Sequence, residues 1–471
     1  MLIEFKTENY RSFGEERKLS MVAGRSRIHP DHVIESHGRD ILTFSAIYGA
    51  NASGKSNLIH AMRESRDKIV SNHRISRNSW NRMDDSNIGR TTGFEYVFST
   101  ESGVYAYGFE LFVHSGIVNS EWLFDMTDGD KRVFERSVGR IESDLRDADY
   151  TNILDVLKGL VGEKSEELLL RTLVKMDNTD GSLFSTARET MSWFRECLMV
   201  TSAGEDVQVS FDPDRDSAIK RIMTDYDTGI TDAGYEEIEY PPANLPNDLR
   251  EYLEDGMRKG KVGIVRGPED MLRFRYDGGY RVDRIVFEHN GKKFGFKEES
   301  DGTQRLYNLL PILEPGIRKG MTYVIDELDR SLHPLMVYRF VEDFLEMARD
   351  RERQLIITAH DTGLQDMKLL RRDEIWYTDR DLGGNTDLYS LEDFKERMDR
   401  RVERAYLDGR YGAIPRFHRY RPNPESERSA GRKEIEARGQ QEPPPFRRNK
   451  GDVQEGVRRM RGPQKRDRLP P

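Results

Sequence analysis

Eight residues in a row, Gly49-Ala50-Asn51-Ala52-Ser53-Gly54-Lys55-Ser56, carry the spacing G-x-x-x-x-G-K-S. That spacing suits a loop whose backbone N–H groups cradle phosphate oxygens, the glycines allowing the chain to curl tightly. Lys55 would bring a positive charge to the β- and γ-phosphates, and the Ser56 hydroxyl is a candidate Mg²⁺ ligand. The flanks agree: Thr43–Tyr48 is a short apolar strand, and Asn57–Met62 opens a helix whose N-terminus favours anions. A Gly/Ser-rich surface turn, the plain alternative, requires neither flank. Gly49, Asn51, Ala52, Ser53, Gly54, Lys55, Ser56 and Asn57 are the candidate nucleotide contacts.

Hydrolysis of a phosphoanhydride also needs a carboxylate for Mg²⁺ and a group that activates water. The apolar strand Met321–Ile325 ends in Asp326 and Glu327, and ligands of open α/β sheets sit beyond such strand ends. Asp326 is the candidate to hold Mg²⁺ through water, and Glu327 the candidate to polarise the attacking water. A strand ending in a solvated acidic turn is the competing reading. The next strand, Leu355–Ile357, runs on through Thr358-Ala359 to His360, which is placed to reach a γ-phosphate. A lone strand-end histidine otherwise serves structure.

These residues together resemble an ABC-type ATPase head of the SMC/RecF/OLD kind. Gly49–Ser56 matches its Walker A motif, Tyr323–Glu327 its Walker B, Leu328-Asp329 its D-loop, and Thr358-Ala359-His360 its switch-histidine strand. Glu299–Arg305 is similar to its signature motif, with Asp301 where many members have glycine, and the opening Phe5–Phe13 is similar to its first hairpin. No glutamine is assigned to the Q-loop. The resemblance covers roughly residues 1–110 and 280–380. It implies catalytic roles for Lys55, Glu327 and His360, Mg²⁺ on Ser56 and Asp326, and a D-loop role for Asp329. It also implies a face-to-face dimer in which Ser300 and Gly302 of one head complete the P-loop of the other, with ATP as the glue. Tyr406–Pro415 resembles the C-terminal segment of a narrower group: standalone AAA-annotated, ABC-like ATPases of bacterial defence and restriction-associated operons, some of which work with a separate nuclease-like protein.

The elements that must position these groups read as an α/β chain with an antiparallel β-subdomain. Leu2–Asn9 alternates apolar and polar residues, and Lys18–Val22 is set to pair back onto it. Thr92–Val138 reads as an antiparallel meander with turns at Gly103, Gly116 and Asp128-Gly129. Helical spacing at Ile153–Val161, Leu168–Met176 and Leu245–Met257 predicts a mainly helical insertion over 151–270. Arg284–His289, Asn290-Gly291 and Lys292–Phe296 read as a hairpin. Strand and helix then alternate through Ile375–Thr378, which implies a parallel sheet. The expected units are an ATPase lobe over 1–150, the insertion over 151–270, a second lobe over 271–420, and a disordered tail over 421–471 that holds 8 of the 18 prolines.

Composition narrows the function classes. The net charge of −9 divides into 14 Lys/Arg against 8 Asp/Glu from Arg421 onward, and 61 against 76 before it. A body at −15 does not advertise a large nucleic-acid surface, although a local groove for nucleic acid stays open. The single cysteine, Cys197, excludes internal disulfides and cysteine metal clusters, and its surroundings read as a packed helix. Without a signal peptide or a long apolar run, a cytoplasmic protein with no membrane span is expected. Asn449-Lys450-Gly451-Asp452 spells a guanine-reading motif but lies in the tail, and Asp379-Arg380-Asp381 mimics a nuclease carboxylate pair but reads as a hairpin turn. The expected function is an Mg²⁺-dependent ATPase that forms a homodimer or higher homo-oligomer and controls an effector protein or nucleic acid, in anti-phage defence. The alternatives are an ATP-bound scaffold that sequesters a toxic nuclease-like partner with incidental turnover, and a DNA-repair ATPase.

Overall fold

The structure, a computed structural model, describes residues 1–145, 156–159, 162, 164–176, 181–203, 223–239, 263–266, 270–313, 319–395 and 401–415. Its centre is a six-stranded sheet. In chain order the strands are β1 (Phe44–Tyr48), β2 (Leu198–Thr201), β3 (Thr322–Ile325), β4 (Gln354–Thr358), β5 (Ile375–Arg380) and β6 (Thr386–Ser390). They lie in the order β2-β3-β4-β1-β5-β6, all parallel except β6, which returns antiparallel along β5. Every residue of β1, β3 and β4 is buried, which explains why their sequences are apolar runs rather than alternations. Parallel pairing puts Gly49, Asp326 and Ala359 just beyond the same edge of the sheet. Helix α1 (Lys55–Ser71) follows β1 and buries Leu58, Ile59, Ala61, Met62 and Ile69 along one stripe, ending where Asn72 turns left-handed at φ 57°.

The first strand of the chain, Leu2–Glu8, belongs instead to a seven-stranded antiparallel sheet. Arg17–Ser20 flanks it on one side, and Thr92–Ser99, Val104–Phe112, Ile117–Asp125, Lys131–Ser137 and Arg140–Glu142 continue the meander on the other. Aromatic side chains fasten this sheet to residues 193–194: Trp193 stacks on Phe98 at 4.2 Å between ring centroids, and Phe194 meets Tyr96 edge-on at 5.0 Å. The fully buried Glu121 accepts N–H groups of Leu169 at 2.5 Å and Leu170 at 2.9 Å and the Tyr107 hydroxyl at 3.0 Å. It thereby satisfies the first turn of a short helix, Leu169–Lys175. Burial pushes the Glu121 carboxyl up, while Arg136 and these donors pull it down.

The span 151–270, expected to be mainly helical, holds strands as well. The described residues there do hold helices at Leu169–Lys175 and Ser182–Ser192, but Leu198–Thr201 is the edge strand of the central sheet. Asp232–Ile238 and Gly263–Arg266 are strands of a five-stranded antiparallel sheet with Met271–Tyr276, Tyr280–His289 and Lys292–Gly295. Cys197 is buried, as expected, but in a π-turn that breaks the helical spacing just before β2. A four-residue strand is too short to outvote a helical pattern upstream of it. The expected helix at Leu245–Met257 and the tail from 421 lie outside the described residues. Among the described residues, no helix is long and apolar enough to cross a membrane.

One side chain joins the two large sheets. Gln354 opens β4, is fully buried, and fills its hydrogen-bonding capacity across both. Its Oε1 accepts from Leu2 N at 2.6 Å and Thr322 Oγ1 at 2.9 Å; its Nε2 donates to Leu2 O at 2.8 Å and Leu42 O at 2.9 Å. Gln354→Leu keeps the volume but strands four buried polar partners, and is expected to cost about 2–4 kcal/mol, read as a lower urea midpoint at unchanged slope. An unchanged midpoint would remove this side chain's bridging role.

Candidate active site

The loop 49–56 is shaped by close approach. A Cβ on Gly49 would lie 2.5 Å from the Thr378 carbonyl and from Ser53 Oγ, so no side chain fits there. Gly54, at φ 117°, caps α1, and a Cβ on it would overlap the Thr386 side chain. Ala52 is left-handed at φ 64° and exposed at the loop's crest with Asn51. Because α1 begins at Lys55, the N–H groups of its first turn, including Ser56 and Asn57, have no intrahelical acceptor. Lys55 is only 6% exposed and donates to Gly49 O at 2.7 Å, inside the curl it is expected to share with phosphate. Burial lowers its pKa, while Asp326, Glu327 and Asp329 pull it back up. The lysine and the strand-end acids therefore lie within each other's electrostatic reach.

The acids are held by the neighbouring strand. Asp326, 1% exposed, accepts the Thr358 hydroxyl at 2.5 Å, and the same oxygen accepts the Glu327 N–H at 2.8 Å. Glu327 sits in the left-handed region at φ 50°, unusual for a residue with a long side chain, and its carbonyl accepts from Arg305 Nη2 at 3.1 Å. Asp329 Oδ2 accepts the N–H groups of both His360 and Asp361 at 2.7 Å, which fixes where the strand-end histidine leaves β4. The other oxygen, Asp329 Oδ1, is buried with no hydrogen-bond partner. His360 itself is exposed. The oxygen-only set of the Ser56 hydroxyl and the locked Asp326 carboxylate fits Mg²⁺, which prefers one or two carboxylates plus phosphate and water.

The signature segment presents its start to the surface. Ser300 is exposed and caps helix α2 (Asp301–Leu309), accepting Thr303 N–H at 3.2 Å. Gly302 lies against the D-loop region: a Cβ there would approach Ser331 O to 2.7 Å. One turn later Arg305 reaches the Glu327 carbonyl, so this helix is tied to the acids of its own chain while its first residues face outward.

Several residues the sequence reading did not single out complete the site. Ser12 Oγ accepts from Asn57 Nδ2 at 2.8 Å and lies 2.7 Å from Thr386 Oγ1, which donates to Ser53 O at 2.8 Å; Ser53 Oγ bonds Thr378 Oγ1 at 2.6 Å. The Asn57 amide is thus committed to supporting the loop. Their only signal in the sequence is a small hydroxyl residue in a strand or hairpin, too common to notice. The Asp379–Asp381 pair is indeed a hairpin: Asp381 accepts Asn385 N–H at 2.8 Å, and Asp379 accepts Ala413 N–H at 3.1 Å. Asp379 thereby helps anchor the C-terminal segment, whose Tyr406 and Tyr411 stack on Tyr377 at 5.3 and 5.6 Å. Asn449–Asp452 lies outside the described residues.

Residues 211–366 match the family described as "AAA domain, putative AbiEii toxin, Type IV TA system". No curated protein matches the chain in sequence. Similar solved structures include an SmcHead bound to the C-winged helix domain of ScpA, at 15% identity and TM-score 0.38, covering 86% of this chain and 99% of the other. Another is the SMC head domain from Thermotoga maritima, at 14% identity and TM-score 0.31, covering 83% and 98%. The family match spans the signature helix, β3 and β4, while the glycine loop before α1 lies upstream of it.

Thr358→Val removes the hydroxyl that holds Asp326 and the Glu327 N–H while keeping shape. It is expected to lower nucleotide hydrolysis about 10- to 100-fold and to raise the Mg²⁺ concentration for half-maximal rate. Wild-type rates at wild-type Mg²⁺ would show that this hydroxyl positions nothing that matters. A glycine-rich loop after β1 and an acid pair after β3, with β4 between those strands, lie beyond one edge of the central sheet, an arrangement suited to a nucleotide's phosphates and their metal.

Proposed function

We propose that this chain hydrolyses ATP and uses the nucleotide to bring two copies together face to face. Lys55 contacts the β- and γ-phosphates, and the loop N–H groups from Asn51 to Asn57 cradle the chain of phosphates. Ser56 and Asp326 hold Mg²⁺, which supplies charge neutralisation at the phosphates. Glu327 polarises the attacking water, and His360 contacts the γ-phosphate. Ser300 and Gly302 reach the partner's nucleotide. The observation that carries this reading is the sheet order, which sets the loop holding Lys55, after β1, and the Thr358-held acids Asp326 and Glu327, after β3, beyond one edge with β4 between them. The outward-facing Ser300 at a helix start supports the composite site.

The family description, with its toxin and toxin–antitoxin terms, supports a defence role; in our proposal the ATP-bound assembly controls a separate, nuclease-like effector. Nucleic acid is a second possible cargo.

Glu327→Gln is expected to lower steady turnover by at least about 100-fold while leaving ATP binding intact. In that background, solution mass should rise to a dimer or larger on adding ATP and Mg²⁺, and Ser300→Arg should abolish the rise. An assembly equally large without nucleotide would favour a constitutive scaffold. Unchanged turnover in Glu327→Gln would remove the base assignment, and a monomer under all conditions would remove the composite site.

A further inference from the structure

The tetrapeptide His29-Pro30-Asp31-His32 lies far along the sheet from the glycine loop, where chain enters β1 rather than where it leaves. His32 O accepts both Thr43 N, at 2.9 Å, and Thr43 Oγ1, at 3.1 Å, immediately before β1 begins. Arg371 Nη1 donates to Ile28 O at 3.0 Å, clasping the same turn to the segment that leads into β5. His29 holds a left-handed conformation, φ 49° and ψ 60°, directly before a proline, where helical backbone is disfavoured. A short 3₁₀ turn, Pro30–His32, then brings three side chains together.

The ligand atoms of His29, Asp31 and His32 all lie within 4.8 Å of one another, and His32 Nε2 is 3.9 Å from Asp31 Oδ2. Each imidazole has one nitrogen already committed. His32 Nδ1 lies 3.0 Å from Oε1 of the fully buried Glu374, and His29 Nε2 lies 2.9 Å from the Met367 carbonyl. A carbonyl only accepts, so His29 Nε2 carries the proton, and His32 Nδ1 does so when it donates to ionised Glu374. The lone pairs are left on His32 Nε2 and His29 Nδ1. Metal-ligating histidines commonly use one nitrogen on a carboxylate or carbonyl and the other on the ion; here the two rings stack at 4.8 Å between centroids, 13° from parallel, so the His29 ring turns for both lone pairs to meet one ion. Glu374 is itself held by the Arg371 N–H at 2.7 Å.

We propose that His29, Asp31 and His32 form a divalent transition-metal site of zinc type, oriented by Glu374 and the Met367 carbonyl. Two imidazoles and one carboxylate leave a fourth, tetrahedral position for water. Ligand atoms around tetrahedral zinc are about 3.4 Å apart, so binding draws the half-buried His29 and exposed Asp31 inward while the buried His32 stays. Imidazole ligands select against Mg²⁺, so this site and the nucleotide's metal do not compete. The ion would fasten the entry to β1 to the connection that runs from His360 back to β5. Metal content would then tune the stability of the sheet from the end opposite the nucleotide.

The test is equilibrium dialysis of the full chain against Zn²⁺ in excess Mg²⁺, followed by elemental analysis, with Co²⁺ as a spectroscopic probe. The expected result is one zinc per chain and the intense visible bands of tetrahedral cobalt. His29→Ala and Asp31→Asn, both outside the core, should fold normally, retain ATP binding, and weaken the metal at least tenfold. Glu374→Gln should weaken it roughly 10- to 100-fold as a positioning change. A wild-type chain that retains no zinc overturns the proposal. Zinc held as tightly by His29→Ala and Asp31→Asn overturns it too, since the metal would then sit elsewhere. If Glu374→Gln fails to fold, the two surface variants still decide.

Discussion

The Thr358 hydroxyl donates to Asp326 at 2.5 Å and accepts the Glu327 N–H at 2.8 Å, so one proton and one lone pair set both acids. A buried carboxylate is costly unless its lone pairs are used, and a left-handed glutamate is costly unless its surroundings impose it. The hydroxyl answers both conditions at once. It can do so only because β4 lies beside β3, in register, with Ile325 paired to Ile357. Sheet order thus comes before chemistry. Were β3 beside β1, the acids would need another donor.

The glycine loop shows the same dependence on distant chain. Its curl leaves no room for a Cβ at Gly49 or Gly54, because Thr378 and Thr386 from β5 and β6 press against it. The hydroxyls that cause the crowding also satisfy the loop: Thr386 takes the Ser53 carbonyl and Thr378 the Ser53 hydroxyl. Ser12, in the turn between the first two strands of the other large sheet, adds a third contact through Asn57. A loop anchored from three sides keeps its shape without ligand. Under the proposed function, N–H groups held in this way would meet phosphate already aligned, with little ordering entropy left to oppose binding.

Motif spacing made the glycine loop, the acid pair and the parallel sheet legible from the sequence, because each rests on short-range rules: glycine where the backbone is crowded, acids at the end of an apolar run. The hairpins at Ile117–Ser137 and at Asn290-Gly291 were legible for the same reason. What stayed hidden depends on long-range pairing. Leu198–Thr201 is a strand only because β3 lies beside it, and the helical spacing of Met191–Val200 pointed the other way. Asp232–Ile238 carries too few apolar residues to announce a strand, and pairing with Tyr280–His289 makes it one. Ser12 and Thr386 are invisible until the fold brings them together. His29–His32 resembles a turn until Glu374 is found behind it.

The bridge made by Gln354 has a consequence in time. Leu2 and Gln354 are 352 residues apart in the chain, and both parallel neighbours of β1 lie beyond residue 350. At about 5–20 residues per second, a ribosome takes roughly 20–70 s to travel from one to the other. During that interval the antiparallel meander can pair by itself, since its strands follow one another closely. The strand that carries the glycine loop cannot, and waits with both edges open. The sheet edge that carries the glycine loop and the acid pair is therefore among the last parts of the molecule to form.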